Sequence, residues 1–157
     1  MTVKTKSILV NVCCYALILL FVYAAAAKLL DYNRYVTAMR NQPFVDWLTY
    51  PLAWGIPAIE LVLTAMLVTD RWRNLGFLGS LILMTAFTIY IALILMKVFG
   101  RIPCACGGVI NKLDWPDHLY FNLIFVGFSI TGYLLSRPGG SGGKVTNRYS
   151  DMVGAGA

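Results

Sequence analysis

Four long apolar runs, Ser7 to Ala27, Leu52 to Val68, Gly76 to Val98 and His118 to Leu135, constrain this chain more than anything else in its 157 residues. Each meets the length of about 17 to 25 residues that a helix needs to cross a bilayer, where every backbone N–H and C=O must be satisfied within the segment. With 59% hydrophobic and only 13% charged residues, the chain lies outside soluble usage. The reading is an all-α membrane protein: a four-transmembrane-helix bundle over residues 1–137, followed by a glycine-rich tail, 138–157, that cannot bury a core. A secretory signal is the rival reading of the first run, since Lys4 and Lys6 precede it and Ala24 to Ala27 offer small residues. The run exceeds a signal core of about 7 to 15 residues, and a retained span is expected.

The formal charge of +6 does not point to nucleic acid, because the basic residues are scattered at the ends of the runs, where they orient helices. Lys4, Lys6, Arg71, Arg73, Arg137, Lys144 and Arg148 share one side; Lys28, Arg34, Arg40, Lys97, Arg101 and Lys112 lie on or near the other. The first flank and the short Thr69 to Asn74 connection favour both termini in the cytoplasm, with the cysteine-bearing connection between the third and fourth runs outside. The expected location is a bacterial inner membrane. Trp47, Tyr50, Trp54 and Trp115 would mark the outer headgroup level, Trp72 and Tyr133 the inner one, and the segment from Lys28 to Pro51 reads as a short interfacial helix. Gly76 with Ser80, and Gly127 with Thr131, supply two small-xxx-small pairs for close helix approach. Asp114-Trp115-Pro116-Asp117 carries an N-cap candidate and an early proline, so the fourth span should start there.

Chemistry concentrates in Pro103-Cys104-Ala105-Cys106-Gly107-Gly108. Two cysteines one residue apart close only a small, strained ring, suited to exchange rather than to stapling. Arg101, Lys112 and the start of the fourth span are close enough in sequence to favour a thiolate. Three uses fit: thiol–disulfide exchange, a structural loop-closing disulfide, or a metal site in which Cys104, Cys106 and His118 hold a soft ion. Cys13 and Cys14 read as buried apolar thiols.

Glu60 is the one acidic residue inside a run, and Pro57 interrupts the helix nearby. It reads as the ion-pair partner of Lys28, with Lys97 a weaker choice, or as part of a proton path or a contact to a quinone-like ligand. His118, the one histidine, is either a base or an interfacial hydrogen-bonder. Asn122, one turn on, could hold a ligand carbonyl or the imidazole, and Tyr90 could serve similarly.

Ala27-Lys28-Leu29-Leu30-Asp31-Tyr32, the proline followed by Glu60, and the Cys104-Ala105-Cys106 loop together resemble the DoxX-like membrane proteins, specifically the MauE/DoxX redox-associated branch. The likeness covers about Lys6 to Leu135. It implies a four-helix bundle related in architecture to the quinone-linked disulfide-forming enzymes, with Cys104 and Cys106 as the family's cysteine pair and Lys28 and Glu60 as its charged positions. Such enzymes commonly carry Cys-x-x-Cys and a second shuttle pair in another external loop, and the 28–51 connection has no cysteine. The expected function is thiol–disulfide exchange supporting oxidation or maturation of exported proteins. A quinone is the cofactor this admits, and the expected partners are the lipid bilayer and a periplasmic thiol protein or larger membrane complex. Two alternatives stand beside it: a non-catalytic subunit anchoring an envelope complex, and metal binding or transport through Cys104, Cys106 and His118.

Overall fold

The computed structural model describes residues 3–42, 46–98 and 115–136. Among them are five helices: α1 (Val3–Leu30), α2 (Tyr32–Arg40), α3 (Asp46–Val68), α4 (Arg73–Leu95) and α5 (Trp115–Ser136). No strand occurs among the described residues. Four are long and apolar enough to cross a membrane: Lys4–Leu30, Trp47–Val68, Arg73–Leu95 and Pro116–Ser136. The exposed surface of these helices is itself apolar, with Tyr15, Leu19, Val62, Ile82 and Ile124 outward, as lipid contact requires.

The bundle pairs α4 with α5 and α1 with α3 most extensively, and α1–α5 and α3–α4 contacts close the ring. α1 contains neither glycine nor proline and runs unbroken to Leu30, where Lys28 sits in the last turn against the helix dipole. Asp31, at φ −119° and ψ 55°, breaks it, and α2 departs to lie mainly on α3. The expected interfacial helix is therefore nine residues long, and α3 begins well before Leu52, with Pro51 and Pro57 inside it. α4 ends at Leu95, short of the expected Val98. Its C-terminus is a Schellman turn: Val98 N–H donates to Leu93 O, Lys97 N–H donates to Ile94 O, and Lys97 takes φ 55°.

The main core, Cys13, Cys14, Leu17, Leu20, Phe21, Leu63, Leu67, Phe77 and Met84, lies towards the α3–α4 turn. Small residues set its spacing. A Cβ on Gly76 would stand 3.0 Å from the Leu67 backbone nitrogen, and one on Gly132 would overlap the buried Phe77 ring. Gly76 and Ser80, the latter fully buried, thus sit where helices approach closely. Gly127 does not, because a Cβ there meets nothing, so Gly132 replaces the expected Gly127–Thr131 pair as the contact on α5. The 138–157 tail lies outside the described residues.

Candidate functional site

Lys28 and Glu60 meet because of how helical side chains lean. Each Cα–Cβ bond tilts towards its own helix N-terminus, and α1 and α3 are antiparallel: Cys14 contacts Leu67 while the later Lys28 contacts the earlier Glu60. The Cys14 thiol donates to Leu67 O at 3.4 Å, which puts those two residues at one level. Measured from there, the Lys28 backbone stands about 21 Å up α1 and the Glu60 backbone about 10 Å up α3, at 1.5 Å per residue. The long lysine leans down, the glutamate leans up, and Nζ donates to Oε1 at 2.7 Å. Lys28 Nζ also donates to Ala24 O at 3.3 Å.

The pair is dry: the side chains are 11% and 2% exposed. Charges taken out of water gain from each other about as much as desolvation costs, so such a pair persists where its remaining valences are also used. Here one valence is not used. Glu60 Oε2 is buried without a hydrogen-bond partner, and so is the Tyr35 hydroxyl. Tyr35 arrives from α2, where Tyr35 and Val36 pack on Ala53 of α3, whose lack of bulk lets the two helices touch. Pro57, fully buried, withholds the N–H that Ala53 O would have accepted, so polar backbone is freed beside the same contact. Burial first, then the charge of Glu60 and the neighbouring Tyr32, push the Tyr35 phenol well above the ordinary tyrosine range. It therefore keeps its proton, and its O–H is an unused donor.

The other candidates lie at the same end of the bundle but make a different set of contacts. Tyr90, near the end of α4, donates its hydroxyl to Gln42 Oε1 at 2.5 Å, tying α4 to the segment after α2. His118 is half-buried in the first turn of α5, and its Nε2 has no hydrogen-bond partner. Asn122, one turn on, is buried. Between α2 and the start of α3, Arg40 donates to the Tyr50 hydroxyl and stacks 5.4 Å from its ring centre, while Tyr32 and Trp54 rings stand 5.2 Å apart. Cys13 and Cys14 are free thiols in the core.

A family model of the methylamine utilisation protein MauE matches residues 6–135, well over half the chain and all four spans but for the start of the first and the last residue of the fourth. The chain belongs to the MauE family. It matches no curated protein and no solved structure. As a MauE-family membrane protein it contacts the lipid bilayer through all four spans. The matched region includes Cys104 and Cys106, which with Arg101 and Lys112 lie in 99–114, outside the described residues. The metal reading needs the same two cysteines and lies there too.

Sequence reasoning brought Lys28 to Glu60 but missed Tyr35 and Gln42. Tyr35 reads as one more interfacial aromatic. The available signal was the spacing Tyr32, Tyr35, Val36, Met39, the apolar stripe of a short amphipathic helix, which turns Tyr35 inward.

Proposed function

We propose that this MauE-family protein carries out thiol–disulfide exchange through Cys104 and Cys106, supporting oxidation of exported proteins, with a membrane quinone as electron acceptor. The observation that carries the reading is one of topology. Residues 99–114 run from the end of α4 to the start of α5, the end of the bundle that also holds Lys28, Tyr35 and His118, with Lys28 reaching inward from it to Glu60. The DoxX-like resemblance gives the same direction. In this reading both termini are cytoplasmic, the membrane is a bacterial inner membrane, and the loop faces the periplasm, where disulfides persist.

The cycle balances as follows. A dithiol partner attacks through one thiolate and gives a mixed disulfide with one of the loop sulfurs; the partner's second sulfur displaces it, leaving the partner oxidised and Cys104 and Cys106 as thiols that carry the partner's two protons. Re-forming the loop S–S bond releases two electrons and two protons, for which a membrane quinone would supply the two-electron, two-proton acceptor. His118 Nε2, without a partner, is the base that receives a thiol proton on the way.

The test is the double variant Cys104→Ser/Cys106→Ser in cells that depend on the protein. Loss of partner oxidation, with the variant still membrane-inserted and thermally as stable as the parent, is the expected result. Full function in that variant contradicts the exchange reading and leaves the protein as a structural subunit of an envelope complex.

A further inference from the structure

Among the polar groups at this end of the bundle, most are already engaged. Tyr90 is given to Gln42, and Arg40 to Tyr50. Two threonine hydroxyls inside the spans are satisfied by the helix turn before them: Thr64 donates to Glu60 O at 2.9 Å and Thr88 to Met84 O at 2.7 Å. Tyr35 and Glu60 stand apart from these, and by their deeper burial from His118, whose Nε2 is also without a partner. Both residues are more than nine-tenths buried, at 8% and 2% exposure, and each holds a polar atom with no partner. Buried polar atoms left in that state are rare and costly, more so in a bilayer that offers no water.

The unspent hydrogen-bonding capacity has a definite pattern. Tyr35 offers an O–H. Lys28 has three donors, and its bonds to Glu60 Oε1 and Ala24 O use two. Glu60 Oε2 accepts. Two donors beside one acceptor, inside an apolar bundle, suit a ligand whose head accepts hydrogen bonds in one state and donates in another, and whose body is lipid-soluble. A quinone carbonyl accepts from Tyr35 and Lys28; the quinol hydroxyl it becomes donates to Glu60 Oε2. We propose that Lys28, Glu60 and Tyr35 form the head-group site of a membrane quinone, covered by α2. This rests on the quinone-linked reading above and names the residues that hold the acceptor.

The cover is slight. α2 has nine residues, is joined to α1 through the single break at Asp31, and meets the bundle through Tyr35, Val36 and Ala38. Tyr32 of α2 stands 5.2 Å from the Trp54 ring of α3, so a movement of α2 on ligand entry changes the surroundings of Trp54 and makes it a reporter of occupancy. Ubiquinone and menaquinone share the carbonyl chemistry, and both belong in the test.

The experiment titrates the purified full-length protein in mild detergent with decylubiquinone and, separately, a short-chain menaquinone, following tryptophan fluorescence. Saturable quenching by at least one is expected, and Tyr35→Phe, which removes one donor and keeps the ring, should weaken it about tenfold. No saturable binding to the parent overturns the site, as does unchanged affinity in a folded Tyr35→Phe. Photo-crosslinking of the unaltered protein with an azidoquinone keeps the question open to refutation if the variant does not fold. Label on residues 28–36 or 53–60 supports the site; label confined to 118–122 overturns it. Two further outcomes separate this proposal from the thiol reading. Wild-type quinone affinity in Cys104→Ser/Cys106→Ser supports the site whatever the thiols do. Loop thiols that cycle in a protein binding no quinone overturn the site and leave the exchange reading standing.

Discussion

The two ends of the bundle solve the same problem differently. Towards the α3–α4 turn, the most deeply buried polar groups are consumed locally: Ser80 donates to Gly76 O at 2.7 Å, Ser129 to Phe125 O at 2.9 Å, and the Cys14 thiol to Leu67 O. The half-buried Asn74 and Ser136, whose side-chain oxygens lack partners, lie at helix termini there. Around them Leu17, Leu67 and Phe77 are fully enclosed. At the α2 end, an ion pair crosses between helices, one carboxylate oxygen and one phenol are left over, and the covering element is short. A structure that needed only stability would repeat the first solution. The second end keeps unpaired hydrogen-bonding atoms, and the connection that carries Cys104 and Cys106 starts and finishes there.

The comparison breaks most readily at Glu60. Glu60→Ala leaves the Lys28 ammonium buried without its anion and should cost about 3–5 kcal/mol, read as a fall in thermal stability in detergent. Lys28→Met/Glu60→Leu removes both charges and should recover most of that loss while abolishing function. A double variant as active as the parent would show that the α2 end is structural like the other. At the opposite end, Gly132→Ala drives a methyl into the Phe77 ring, which is fully buried and has no room to yield. A loss of about 1–3 kcal/mol is expected, without change in quinone affinity. Gly127→Ala, facing open space, should be neutral or slightly stabilising by the same assay.

A subtler distinction is pH. Above about pH 10 an unfolded tyrosine loses its proton while buried Tyr35 retains it, so the unfolded state binds fewer protons and stability falls as pH rises. Tyr35→Phe should flatten that decline and leave stability at neutral pH unchanged; an identical slope in the variant would mean that the phenol is not held as described. The smallest effect belongs to Lys97, whose positive φ ends α4 where the chain enters the cysteine-bearing connection. Lys97→Gly should stabilise by about 0.5–1 kcal/mol, the left-handed cost removed less the entropy glycine brings.

The spans were legible because lipid imposes one requirement on every residue, and apolar runs record it directly. Lys28 with Glu60 was legible for the converse reason: a lone acid inside a run demands a cation, and a lysine stood at the end of the neighbouring one. The choice between Gly127 and Gly132 was not, since two glycines five residues apart point about 140° from each other and only the packing of α4 decides which meets a neighbour. Tyr35 was hidden because a tyrosine near the headgroups satisfies an anchoring role as well as a buried one. Gln42 was hidden because its partner, Tyr90, is 48 residues away.

The most direct test counts the loop thiols. Alkylation with a mass-adding maleimide after denaturation places two labels on oxidised protein, at Cys13 and Cys14, and four on fully reduced protein, there being four cysteines in the chain. In membranes with an intact quinone pool the two-label form should dominate, and depletion of quinone should convert it to the four-label form. A count that stays the same in both membranes contradicts quinone-linked exchange at Cys104 and Cys106.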